Sequence, residues 1–391
     1  MAGFAKEMAV VTHHRVQANE DGKLIPSGPL EEILVVRPTS ETIIGEAFSN
    51  WINSYRDLPV LINQWANVVR WEMRPRLFLR TTEFLWQEGH TAHANAEEAE
   101  AETRTMLDVY TETLEQVLAI PVIRGEKSPG ERFPGAVATY SVEAMMQDGR
   151  ALQAGTSHYL GQNFAKAANI RFQKKEGGLE NVYTTSWGVS TRLIGGLIMT
   201  HSDDNGLRLP PSVAPQHVVL LPILRGGDNE EVLAFCKKLK SQLAQANASA
   251  NPNANPNANP VSPIRCHVDD RDIPVPEKRW GWIKKGVPII CEVGPRDIAS
   301  NQIVYTYRND PSLKKITCAV DAFTQKCEEL LQQLQTELFN EAKDRLSSRT
   351  ERGIIDWDQL AAFFSKDDEL AYDRRPAFVL AKCVASEEAE Q

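Results

Sequence analysis

The stretch VRWEMRPRLFLRTTEFLWQEGHTAH, residues 69–93, decides how this chain should fold. Its alternating apolar residues predict the end of one strand, a short loop rich in Arg and Pro, and a returning strand at residues 77–84. Such a hairpin would carry Arg70 and Arg80 toward one place, where two guanidinium forks can bind carboxylates or phosphates. Trp, Phe and Leu are interleaved with the charges, so we expect partial burial rather than a solvated, salt-bridged hairpin.

The composition is typical of a soluble globular protein with two or three domains, because 391 residues include 42% hydrophobic and 24% charged side chains. The net charge of −9 means that contact with nucleic acid must come from local basic patches. Six cysteines form no CxxC pair, which indicates free thiols in a reducing cytosol rather than a zinc or redox site. Without an apolar run of membrane-spanning length or a signal peptide, we expect a cytoplasmic protein.

The chain divides at Pro210 and Pro211. Before this pair, strand-like runs mix with helices predicted at residues 43–52, 97–118 and 191–200. After it, strands predicted at 217–224, 264–270, 287–294 and 303–310 and a helix at 229–246 favour a small α/β layer domain. The Asn-Pro repeat at 248–263 predicts a disordered loop, and residues 327–349 predict a charged amphipathic helix followed by a small unit around 357–379.

Four ordered blocks carry a resemblance to a known family. The segment at residues 69–93 resembles motif 2 of the class II aminoacyl-tRNA synthetases, and its sequence is most similar to that of the prolyl-tRNA synthetases. Two further blocks support this resemblance: VRPTSETIIGEAFSNWINSYRDLPVLINQW at 36–65 and GRALQAGTSHYLGQNF at 149–164. Motif 3 of the same family resembles the fourth block, SWGVSTRLIGGLIMTHSDDNGLRLPPSVAP at 186–215. GVPIICEVGPRDI at 286–298 is similar to the family's anticodon-binding domain. Four blocks in order are far more specific than one short pattern.

The resemblance implies an α/β (α+β) architecture. Residues 1–211 would form the antiparallel-sheet catalytic domain, 212–325 a small α/β anticodon-binding domain, and 326–391 a C-terminal helix and extension. The implied substrates are L-proline, ATP with Mg²⁺, and tRNA(Pro), joined through a prolyl-adenylate. The family forms homodimers through motif 1, and that segment has no counterpart before Gly3, so we expect impaired dimerisation and activity.

The resemblance also assigns roles to individual residues. Catalysis is assigned to Arg70 and Arg192. Binding of proline is assigned to Thr39, Glu41, Arg70, Trp86, Phe133 and His158. Binding of ATP is assigned to Arg70, Glu72, Arg80, Thr81, Gln153, Thr156, Ser190 and Arg192. Mg²⁺ is assigned to Gln153 with Glu143, and tRNA to Arg296, Lys284 and Lys285.

Thr39 and Glu41 admit two interpretations. A hydroxyl and a carboxylate two residues apart on an extended strand share one face, and together they could receive the proline ammonium. Alternatively the segment begins a helix, with Ser40 or Thr42 as its N-cap.

Two rival functions also stay open: a class II synthetase for another small amino acid, and a synthetase-like protein that binds tRNA without catalysis.

Overall fold

The structure is a computed structural model that describes residues 8–224, 229–245, 263–365 and 378–382. Among these residues, no helix is both long and apolar enough to cross a membrane. The predicted loop at 248–263 lies outside the described residues except for its last position. Much of the predicted C-terminal unit, together with Cys383 and the acidic tail, also lies outside them.

The first domain is built on a six-stranded, fully antiparallel sheet, which confirms the predicted catalytic architecture. A two-stranded ribbon of β1 (Val10–Ala18) and β2 (Leu24–Val35) precedes it, and many apolar side chains of this ribbon are exposed. The neighbouring strands of the large sheet are, in spatial order, β3 (Val60–Val69), β4 (Glu83–His93), β10 (Tyr183–Ser190), β7 (Ala151–Gly161), β6 (Ala138–Met145) and β5 (Val122–Glu126). A small hairpin of β8 (Arg171–Gln173) and β9 (Leu179–Asn181) lies beside it.

Helices pack against this sheet. The four helices are α1 (Glu41–Trp51), α2 (Ala96–Glu112), α3 (Asn163–Ala167) and α4 (Arg192–His201). Leu107 from α2 and Leu197 from α4 pack with Trp187 of the sheet in one buried cluster. Gly89 is required below Trp187, because a Cβ at that position would lie 1.9 Å from the indole ring. The predicted helices are confirmed, although residues 113–117 form a wider π-helical turn at the end of α2.

The predicted returning strand at residues 77–84 is wrong, because β4 begins only at Glu83. The chain reverses within that range: the backbone N–H of Arg76 donates to Arg80 O (2.7 Å), Arg80 N–H donates to Arg76 O (2.9 Å), and Phe78 has a left-handed φ of 59°. Leu79 packs closely against Gly195 of α4 instead of entering the sheet. Residues 70–82 therefore form a loop that folds over the sheet.

The second domain is a five-stranded mixed sheet with helices on both faces, which confirms the predicted α/β layer. Its strands are, in spatial order, β12 (Cys266–Val268), β11 (Val218–Pro222), β13 (Ile289–Val293), β14 (Gln302–Tyr307) and β15 (Ile316–Ala319). Its helices are α5 (Glu230–Gln245), α6 (Val275–Lys284), α7 (Pro295–Ala299) and α8 (Val320–Ser348). Elements α6, α7 and β15 escaped prediction. Pro and Gly interrupt or border α6 and α7, and β15 has only four residues.

Helix α8 joins the two domains. Its first half is part of the second domain's core through Phe323 and Leu331, so the predicted boundary at residue 325 falls inside this helix. Its second half reaches the first domain, where Gln335 donates to Gln116 O (2.8 Å) and Arg345 donates to Thr200 O (3.0 Å). After α8 come β16 (Thr350–Glu351), α9 (Trp357–Ser365) and β17 (Phe378–Val379).

An ion pair between a buried arginine and a partly exposed aspartate reinforces this junction. Arg308, whose side chain is 1% exposed, donates to both carboxylate oxygens of Asp203 at 2.5 and 2.9 Å. Gly206 follows in the same turn, and a Cβ there would lie 2.6 Å from the Lys284 backbone. Asp203 and Gly206 come directly after α4, so the second domain is docked against the helix that begins at Arg192.

Candidate active site

Most of the residues assigned from the sequence line one cavity of about 720 Å³ over the open face of the six-stranded sheet. The loop at residues 70–82 forms one wall, the segment at 127–134 forms another, and the start of α1 closes a third side. The assigned residues that line it are Thr39, Glu41, Arg70, Glu72, Arg80, Thr81, Trp86, Phe133, Gln153, Thr156, His158, Ser190 and Arg192.

The floor of the cavity follows from strand register. Residues directly opposite each other in antiparallel strands point to the same face of the sheet. One row across the sheet joins His90, Ser186, His158 and Thr139, and the neighbouring row joins Glu88, Gly188 and Thr156. Trp86 lies opposite Ser190 in the next row. The sheet thus places residues from four strands under one ligand-sized space.

A β-bulge brings Gln153 to the same face. The register between β6 and β7 shifts between Val142 and Glu143, so that Val142 faces Gly155 while Glu143 faces Gln153. A bulge adds one residue to one strand and reverses the alternation of faces beyond it. Gln153 and Thr156 are three residues apart, and they line the cavity together for this reason.

Three arginines make one end of the cavity strongly positive. Arg192 lies at the start of α4, where its Nε donates to Leu79 O (2.9 Å). Burial, and then the positive charges of Arg80 and Arg70, lower the pKa of Arg192. Arg70 is fixed by its Nε, which donates to Pro38 O (2.9 Å), and by the Phe84 ring, whose centroid is 5.4 Å from the guanidinium carbon. Cations held this close together favour a bound polyanion.

Thr39 and Glu41 form a small acidic recess next to Arg70. Both side chains are buried, at 4% and 7% exposure, and the Thr39 hydroxyl donates to the Glu41 carboxylate. The prediction that they lie on an extended strand is wrong, because Glu41 is the first residue of α1. Ser40 holds the N-cap position as predicted, but its side chain makes no capping hydrogen bond. A buried carboxylate with a hydroxyl beside it suits a cationic amine.

The wall beside this recess is apolar and neutral. The Phe133 ring stacks on the His158 imidazole with centroids 4.6 Å apart. Thr139 Oγ1 contacts His158 Nδ1 (3.0 Å) and accepts the Phe133 backbone N–H (3.0 Å). Burial, and then the charges of Arg70 and Lys127, lower the pKa of His158 to about 3, so its ring is neutral at pH 7. The recess can therefore hold a compact apolar molecule that carries one positive charge.

Comparisons with known proteins identify the family. Residues 27–201 match the tRNA synthetase class II core domain (G, H, P, S and T), and residues 217–330 match the anticodon binding domain. A proline–tRNA ligase from Paramagnetospirillum magneticum is 58% identical over 366 residues, which are 93% of this chain and 70% of the relative. One from Protochlamydia amoebophila is 53% identical, over 97% of this chain and 73% of the relative. The chain belongs to the prolyl-tRNA synthetase family.

A solved structure gives the same result for the fold. The prolyl-tRNA synthetase from Cryptosporidium parvum, determined with L-proline and AMP, matches with a TM-score of 0.84 and 36% identity. The match covers 99% of this chain and 72% of that one. A second structure of that protein, with halofuginone and AMPPNP, matches with a TM-score of 0.85. The likeness thus extends across both domains of this prolyl-tRNA synthetase family member.

Glu143, the weaker metal assignment, does not line the cavity. It lies directly opposite Gln153 across β6 and β7, and Lys127 Nζ is 3.7 Å from its carboxylate. Among the described residues, no three His, Cys, Asp or Glu side chains are grouped so that they could hold a metal ion. One carboxylate and one amide oxygen fit Mg²⁺, which prefers to keep waters and phosphate oxygens as its other ligands.

The three residues assigned to tRNA do not form one patch. Lys284 and Lys285 are exposed at the end of α6, where Lys285 Nζ lies 4.4 Å from the Trp282 ring centroid. Arg296 is exposed in α7, which begins beyond the other end of β13. The five-residue strand β13, which is about 15 Å long, therefore separates Arg296 from the two lysines. The two helices also pack on opposite faces of the sheet, so any contact with tRNA would use these positions separately.

Several cavity residues were not assigned a role from the sequence. Lys127 and Arg132 add positive charge to the wall, while Glu88 and His90 lie in the floor. The alternation of β4 offers a signal for the floor pair, because Trp86, Glu88 and His90 share one face once the strand is recognised. Loop residues such as Lys127 give no comparable signal.

Proposed function

We propose that this chain activates L-proline with ATP to give prolyl-adenylate and pyrophosphate, and then transfers the prolyl group to the 3′ end of tRNA(Pro) with release of AMP. The observation that carries this proposal is the pairing, within one cavity, of an arginine-rich end with a recess that suits a small amine. ATP supplies the polyanion for the first, and proline supplies the compact cation for the second. Arg70 lies where the two substrates would meet.

The first step joins two anions, so the protein must offset their repulsion. A carboxylate oxygen of proline attacks the α-phosphorus, a new C–O–P linkage forms, and the bond to pyrophosphate breaks. No side-chain nucleophile is required, and the arginines act by alignment and by stabilising charge in the transition state. Arg70 would hold the α-phosphate and the substrate carboxylate, while Arg192 and Arg80 would neutralise the outer phosphates.

Selectivity for proline would come from the recess. Proline's secondary ammonium offers two N–H donors, which Glu41 and Thr39 can accept. Its ring would pack against Phe133, Trp86 and the neutral His158 imidazole. A charged histidine would repel the ammonium, so the low pKa of His158 helps binding.

Adenine and metal contacts complete the proposal. Glu72 and Thr81 would contact the adenine, and Thr156 and Ser190 would line the rest of the nucleotide site. Glu143 and Gln153 would hold Mg²⁺, which supplies further charge neutralisation for the phosphates of ATP. In the second domain, Arg296, Lys284 and Lys285 are proposed to contact tRNA.

The exchange of labelled pyrophosphate into ATP tests this function. We expect exchange with proline and little with alanine, glycine, serine or threonine, and we expect charging of tRNA(Pro) when tRNA is added. Exchange that depends on another of these amino acids would favour the rival synthetase. Tight tRNA binding without any amino-acid-dependent exchange would favour a non-catalytic protein.

A further inference from the structure

Glu88 is a buried carboxylate in the floor of the cavity that has no role in the chemistry described above. It lies in the middle of β4 and is 1% exposed. A buried carboxylate is costly unless hydrogen bonds compensate it. Its partners therefore indicate what it does.

Three side chains converge on this carboxylate. Ser40 Oγ donates to Oε1 (2.6 Å), and Gln64 Nε2 donates to the same oxygen (2.7 Å). His90 Nε2 lies 2.9 Å from Oε2. Burial alone would raise the pKa of Glu88, but the hydrogen bonds from His90, Ser40 and Gln64 outweigh it and hold that pKa below its ordinary value. The group is an ionised acceptor at neutral pH.

Ser40 connects Glu88 to the amine recess. It lies between Thr39 and Glu41, and although it occupies the N-cap position of α1, its hydroxyl bonds to the sheet rather than to the helix. The preceding residue, Pro38, is held from the other side by Arg70 Nε (2.9 Å). The segment that supplies both amine ligands is also attached to β3 through Arg37, whose Nε donates to Asn67 O (3.1 Å) and whose carbonyl accepts the Val69 N–H (3.2 Å). The Ser40–Glu88 bond is the contact that lies between the two amine ligands themselves.

We propose that Glu88 is a positioning residue for the substrate amine, which acts through Ser40 to fix Thr39 and Glu41 over the sheet. This inference rests on the proposed function of the recess. Its consequence is selective: loss of the Ser40–Glu88 bond loosens the amine ligands, while Arg192 keeps its bond to Leu79 O and Arg70 keeps its contact with the Phe84 ring. Proline binding should suffer and ATP binding should not.

Ser40→Ala and Gln64→Ala form a matched pair for the test. Each removes one donor to the same oxygen of Glu88, but only Ser40 links that oxygen to the recess; Gln64 lies on β3 and is not part of the cavity lining. In pyrophosphate exchange, we expect Ser40→Ala to raise KM for proline about tenfold or more, with KM for ATP within about twofold of the wild type. Gln64→Ala should leave both values within about threefold.

Amide hydrogen exchange provides a readout that does not depend on catalysis. In the protein without substrates, Ser40→Ala should speed exchange in the segment at residues 36–44, and Gln64→Ala should not. A Glu88→Gln variant offers a conservative rescue, because an amide oxygen at the Oε1 position can still accept from Ser40. Glu88→Ala lacks any acceptor and should behave like Ser40→Ala if it folds.

The outcomes separate this inference from the proposed function. If the wild type shows no proline-dependent exchange, the proposed function fails, and hydrogen exchange still decides whether Glu88 holds the segment. If the wild type is active but Ser40→Ala and Gln64→Ala raise KM for proline equally, the positioning role is overturned. Equal losses for proline and ATP in Ser40→Ala would show a general structural role and would overturn it as well.

Discussion

Replacement of Arg70 by alanine is the sharpest perturbation of the proposed active site. The side chain is anchored twice, by its Nε bond to Pro38 O and by the Phe84 ring beneath the guanidinium group. These anchors fix the plane of the fork before any ligand arrives. A pre-organised donor of this kind contributes most where charge develops in the transition state.

The expected magnitude follows from what the variant removes. Loss of one pre-organised donor to a developing charge typically costs about 10²- to 10³-fold in rate. We therefore expect Arg70→Ala to lower kcat/KM for pyrophosphate exchange by at least about 100-fold. Arg70→Lys keeps a positive charge but loses both the planar fork and the Nε bond to Pro38, so it should recover only part of this loss.

The assay is pyrophosphate exchange at varied proline and ATP, with thermal unfolding to verify that each variant folds. Arg76→Ala is the matched control, because Arg76 belongs to the same loop but is exposed and lies outside the cavity lining. It should keep kcat/KM within about threefold of the wild type. A folded Arg70→Ala protein within tenfold of the wild type would refute the role of Arg70, and so would an equal loss in Arg76→Ala.

Three further predictions test the recess, the domain junction and pH dependence. Glu41→Gln should raise KM for proline by about 100-fold and leave KM for ATP unchanged in exchange assays, since the ammonium loses its buried counter-charge. Asp203→Ala should lower the free energy of unfolding by about 2–3 kcal/mol in urea titrations, because Arg308 stays buried without its carboxylate. Burial, and then Arg265, lower the pKa of His217 to about 4, and its Nδ1 accepts the Arg265 backbone N–H. The unfolded state therefore takes up a proton first, and His217 alone should contribute about 2 kcal/mol to the loss of stability from pH 7 to 5, so the loss should be less steep in His217→Gln.

The sequence predicted the residues of the cavity better than it predicted their supports. Arg70, Trp86 and Arg192 belong to short motifs whose residue types already indicate the chemistry, and all three line the cavity. The path of the chain between them was predicted less well, because the loop at residues 70–82 is shaped by the contact of Leu79 with α4, more than a hundred residues away. Local periodicity carries no information about such a contact.

Thr39 and Glu41 show how a correct pairing can follow from a wrong local structure. Strand alternation predicted that residues two apart would share a face, yet in the structure the pair spans the N-cap of a helix, where alternation does not apply. The two side chains meet because their segment is attached to the sheet through Ser40 and Glu88, 48 residues apart in sequence. The geometry of the recess therefore depends on a tertiary hydrogen bond rather than on the spacing of its ligands. For this reason Ser40→Ala, which keeps the side chains of both Thr39 and Glu41 but removes the bond that positions them, is a stricter test of the recess than removal of either side chain.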